Sequence, residues 1–142
     1  MNNNLVKVVL VGVAVVLGFF AGDIYHSFKK DDSNLTYCEA SAQGCTEQGV
    51  SVFLDSDVAK AMQPTEIEVD WPGQKSDMLL IELEGKEMNM GVAKFELSRD
   101  QGNKFTGTLL LPACHSEKMT WIGKVSSEQS PQGIPLLVRM ER

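Results

Sequence analysis

Residues 5–25 read LVKVVLVGVAVVLGFFAGDIY, one apolar run after which the chain turns polar and strand-like. A helix of about 20 apolar residues spans the hydrocarbon core of a bilayer. From Val8 to Gly22 no side chain is charged. Lys7 stands near one end, where its stem reaches outward, and Asp23 stands at the other. Tyr25 and Phe28 suit the aromatic belt of a membrane interface. The run therefore predicts an N-terminal transmembrane signal-anchor over residues 1–28. A cleaved signal peptide is the competing reading, but its apolar core is shorter, about 7–15 residues, and ends in small residues. The best cut here, after Ala21, has Phe19 where a small residue is needed. An uncleaved anchor fits better.

Basic residues do not orient this anchor, since Lys7 lies on one side and Lys29 and Lys30 on the other. The cysteines do. Cys38 and Cys45 bracket a polar loop, CEASAQGC, long enough to close a disulfide and helped to turn by Gly44. A disulfide implies an oxidising compartment, so the head is expected in the periplasm or a similar exterior space. Free thiols in a cytosolic domain are the alternative.

Charge narrows the function. From Asp31 onward there are 10 Lys and Arg against 18 Asp and Glu, a balance of −8. No basic patch with interleaved aromatics is present, which excludes nucleic acid as the expected partner. No GxSxG, HExxH or glycine-rich phosphate loop occurs. Cys114 and His115 are sequence neighbours, and neighbours on an extended chain point to opposite faces, a poor nucleophile–base geometry. The chain does not read as an enzyme.

The remainder alternates with period two between turn signals. Strands are expected at residues 50–54, 65–69, 78–84, 92–97, 104–111, 120–125 and 134–140, with one helical turn at 57–62. In VAKFEL, Val92 is out of phase with Phe95 and Leu97, which predicts an offset start or a bulge. The expected fold is all-β, an immunoglobulin-like antiparallel sandwich of about seven strands over residues 49–142. Residues 29–48 are read as a polar linker carrying the cysteine loop.

Sulfur is the chemistry the sequence offers. Met88 and Met90, in EMNMG, would share one face of a strand. Cys114 and Met119 flank a short connection, ACHSEKM. Thioethers and thiolates are soft ligands suited to Cu(I). Met88, Met90, Cys114 and Met119 would converge if the strand ends meet, with His115 as a nitrogen donor. The plain alternative is that methionines fill gaps in the core. A blue-copper centre is disfavoured, because it needs two histidines and a cysteine, and His115 is the head's one histidine, abutting Cys114.

The stretch from Glu87 to Val125 resembles the small bacterial membrane-anchored domains grouped as FixH-like and YtkA-like. The residues carrying the likeness are Met88-Asn89-Met90-Gly91, then Gly102-Asn103-Lys104-Phe105-Thr106-Gly107, then Leu111-Pro112 and Trp121. The resemblance implies a sandwich behind a single helix, in the bacterial inner membrane with the C-terminal domain in the periplasm. It also implies copper handling or assembly of respiratory oxidases, and hence a membrane complex or a copper protein as partner. The competing function is a metal-free structural or interaction module of a membrane complex.

Overall fold

The computed structural model describes residue 4 and residues 6–13, 35–112 and 115–142. The chain divides into two units, Met1–Leu35 and Thr36–Arg142. In the first, residues 6–13 are helical. No helix among the described residues is long and apolar enough to cross a membrane. Most of the expected anchor, from residue 14 onward, lies outside the described residues.

The second unit is all-β. Its strands are β1 (Cys38–Ala40), β2 (Cys45–Glu47), β3 (Val50–Leu54), β4 (Ala59–Lys60), β5 (Pro64–Asp70), β6 (Met78–Gly85), β7 (Val92–Arg99), β8 (Lys104–Leu110), β9 (Lys118–Ser126) and β10 (Ile134–Glu141). They join in one hydrogen-bonded path, β1-β10-β9-β6-β7-β8-β5-β3-β2, with β4 off the path, pairing Met140 and Glu141 on the same edge of β10 as β1.

The seven expected strands correspond to β3 and β5–β10. The count and the purely antiparallel pattern need correction. Three very short strands are added, and β1 and β4 both pair parallel to β10. β4 lies where a helical turn was expected, because Ala59 is buried beside its β10 partner Met140. β1 and β2 fall inside the segment read as linker.

Alternation explains the core. Ile67 and Val69 of β5, Leu79, Ile81 and Leu83 of β6, and Leu136, Val138 and Met140 of β10 point inward and are buried. β7 has the offset start and no bulge: Val92 is exposed, Leu97 is buried, and pairing with β6 is unbroken from Val92–Glu84 to Ser98–Met78.

β7 pairs with β8 only at Ser98–Thr106 and Arg99–Phe105. Buried residues from both sides of this hairpin belong to one core. The two ends of the path, β1 and β2, are joined by the Cys38–Cys45 disulfide, with the Cα atoms 5.5 Å apart. Beside the disulfide, Ser41 O accepts from the N–H groups of Gly44 (3.0 Å) and Leu54 (2.9 Å). Gly44 is required: its φ is +75°, and a Cβ there would come within 2.3 Å of the Phe53 ring. Closing a loop this short stabilises the fold by about 2–3 kcal/mol.

β1 enters alongside the first half of β10 and runs in the same direction. The domain thus has an entry end, near Ile134, and a distal end, near Glu141. The distal end gathers several chain segments. The N–H of Lys86 donates to Thr120 O, that of Met62 to Leu111 O, that of Ala61 to Glu141 O and that of Arg142 to Glu117 O, each at 2.9 Å. The β6–β7 turn and both stems of the β8–β9 connection therefore lie at one end.

Candidate functional site

The β6–β7 connection, Lys86 to Gly91, is shaped by local polar chemistry. Asn89 Oδ1 accepts from the Gly91 N–H at 3.0 Å, and Gly91 takes a φ of +78° that disfavours other residues. Glu87 Oε2 accepts the Thr120 N–H at 2.8 Å, so the turn is tied to β9 at two points. Desolvation pushes the Glu87 carboxyl up, but the Thr120 amide and hydroxyl, with the Lys86 charge, outweigh it and hold the group below its ordinary value.

Met88 and Met90 lie in this connection rather than on a strand. The expected shared strand face is therefore replaced by a turn, because Asn89 and Gly91 bend the chain. Met88 is 41% exposed, whereas Met90 packs against the core. Met119, on β9, is 3% exposed. Its methyl group fills the space over Gly85: a Cβ on residue 85 would come within 2.0 Å of Met119 Cε and 2.5 Å of the Met88 carbonyl oxygen. The end of the Met119 thioether thus lies directly under the turn that bears Met88.

A fourth sulfur is added by the fold. Met140 is the cross-strand partner of Met119 and is equally buried. The phase of Leu136 and Val138 already marks residue 140 as inward, but the pairing that sets it beside Met119 is not readable from one strand.

Cys114 lies outside the described residues, in sequence between Leu111 and Glu117, whose carbonyls are both fixed at the distal end. His115 is exposed. Among the described residues no three His, Cys, Asp or Glu side chains gather in a group able to hold a metal. Met88, Met90 and Met119 are placed at one end of the domain, with the methyl of Met119 beneath the turn. Neutral thioethers there can bind a soft monovalent cation without the desolvation cost of burying a carboxylate.

A cleft of about 440 Å³ opens beside this end, lined by Lys86, Glu87, Lys118, Met119, Thr120 and Met140 among others. Lys60 binds Glu141 at its margin, and this contact, with the nearby Lys118 charge, holds the Glu141 carboxyl below its ordinary value.

No protein-family model matches the chain, and no curated protein and no solved structure is significantly similar to it.

Proposed function

We propose that this chain is a membrane-tethered accessory protein whose β-domain faces the periplasm and binds Cu(I) at its distal end. Met88, Met90, Met119 and Cys114 are the proposed sulfur ligands, with His115 as a nitrogen donor. The role is copper handling that serves the assembly of a respiratory oxidase, without catalysis by the chain itself. The FixH-like and YtkA-like kinship and the sandwich description belong to this reading.

One observation carries it. The two connections that bear the sulfur residues leave the sheet at the same end, and the Met119 methyl packs beneath the Met88 turn. The apolar run at 5–25 supports the tether, and the Cys38–Cys45 disulfide supports an oxidising compartment.

The test is competition of the full chain, in nonionic detergent, against a Cu(I) chelator. One Cu(I) per chain is expected, with affinity strongly reduced by Cys114→Ser and less by Met88→Ala. A chain that leaves all the copper on the chelator removes the proposal.

A metal-free interaction module is the second reading. It is favoured by the burial of Met119 and the packing of Met90, both of which suit plain core filling. On that reading, partners co-purified from a detergent extract stay bound to Cys114→Ser.

A further inference from the structure

The domain Thr36–Arg142 is acidic, with 10 Lys and Arg against 16 Asp and Glu, a balance of −6. Half of those cations nevertheless collect around one distal cleft. Lys86, Lys118 and Arg139 line it. Lys60 reaches it through Glu141, and Arg142 is held beside it by its bond to Glu117 O.

The pairing of β9 with β10 produces this cluster. Lys118 stands opposite Glu141, and Arg139 stands opposite Thr120. Lys86 is brought in by its backbone bond to Thr120.

Three carboxylates nearby are already engaged, and Glu117 stands beside them. Glu141 binds Lys60, Glu39 binds Arg139 at 2.8 Å, and Glu87 accepts the Thr120 amide. Lys86 and Lys118 are exposed, and neither forms an ion pair among the described residues. Two ammonium groups without a direct ion pair thus stand over a partly apolar lining that includes Leu137. The lining sets Lys86, Lys118 and Arg139 against Glu87 and Glu141, a local excess of positive charge within an acidic domain, and such an excess in a concave site draws an anionic group.

We propose that this cleft docks an extended acidic segment of a partner protein, with carboxylates on Lys86 and Lys118 and an apolar side chain against Leu137. A protein segment fits better than an anionic membrane. A broad negative surface would also meet the rest of an acidic domain, whereas a narrow segment meets only the cleft. The inference stands without the metal, although Met119 and Met140 place the docked segment beside the sulfur end.

The probe is a fluorescein-labelled peptide of glutamates around one central leucine, titrated by anisotropy onto the full chain in nonionic detergent at low salt. Binding is expected to weaken about tenfold in the Lys86→Glu/Lys118→Glu double variant, and to survive in Lys86→Arg/Lys118→Arg. Lys75→Glu, another exposed lysine without an ion pair, is expected to bind as the parent does. The proposal is overturned if the peptide does not bind, if Lys75→Glu weakens it as much as the double variant, or if a lysine-for-glutamate peptide binds equally well. It is also overturned if phosphatidylglycerol vesicles respond to Lys86 and Lys118 while the peptide does not.

Discussion

At the entry end of the β-domain one guanidinium ties three stretches of chain together. Arg99 Nη2 donates to Gln74 O at 2.7 Å and to Ser76 O at 2.6 Å, Nη1 donates to Gly102 O, and Nε donates to Asp77 Oδ1 at 3.2 Å. The same group lies 4.5 Å from the centroid of the Phe105 ring. At the distal end the Met119 thioether, with Met140 as its cross-strand partner, lies beneath a turn fastened through Lys86 and Glu87. A planar fork with fixed donors accepts one geometry. A thioether with several rotatable bonds accepts many. The entry end is thus held by a fixed polar fork, and the distal end by thioethers packed into the core.

The strongest way to break this comparison is Arg99→Ala. The carbonyls of Gln74, Ser76 and Gly102 lose a charged donor, and Phe105 loses its covering cation. A loss of about 3 kcal/mol in chemical denaturation is expected. Arg99→Lys should recover only part of it, because an ammonium cannot hold the fork.

Gly85→Ala is the corresponding wound at the distal end, with a loss of about 2 kcal/mol expected. Trimming the neighbour in Gly85→Ala/Met119→Ala relieves the clash with the thioether but not the one with the Met88 carbonyl. The double variant should therefore not show the full relief of a side-chain clash, a point that a double-mutant cycle measures.

Met119→Leu sharpens the comparison from the other side. Its volume is nearly conserved, so stability should change by less than about 1.5 kcal/mol. Cu(I) affinity should fall all the same, because the sulfur is gone. A Met119→Leu chain that binds copper as the parent does would move the distal end from ligand chemistry to packing alone.

The smallest effect concerns acid. Glu87 is held below its ordinary value in the folded chain, so its tie to Thr120 contributes stability above the unfolded value of about 4.3. That contribution fades as pH falls through the folded value. The stability difference between the parent and Glu87→Gln should therefore be largest near neutrality and shrink below about pH 4. A difference that grew on acidification would reverse the assignment.

How much of this was legible in the sequence follows the physics of each element. Long alternating segments, such as MLLIELE and IPLLVRM, declared both strand and buried face. The Cys38–Cys45 spacing declared the disulfide. β1, β2 and β4 were illegible because two or three residues carry no period, and their partners lie far along the chain. The helical turn expected at 57–62 failed for that reason: Ala59 is a good helix former, and its parallel pairing with Met140 overrides propensity.

At the distal end, the gathering of Met88, Met90 and Met119 at one end was readable as a condition on strand ends. Their detailed placement was not. Met88 and Met90 looked like a strand pair, while Asn89 and Gly91 carried the turn signal that governs them. Met140 was hidden because cross-strand pairing is a long-range property. The Arg99 tie has no signal in the sequence, since most of its acceptors are backbone carbonyls that no side-chain pattern reveals.

Copper-edge X-ray absorption of the Cu(I)-loaded full chain puts the sulfur end to its most direct trial. A first shell of sulfur, with at most one nitrogen, that loses a sulfur in Cys114→Ser is the result expected here. A shell of oxygen and nitrogen, or a spectrum unchanged by both Cys114→Ser and Met119→Leu, would contradict the account.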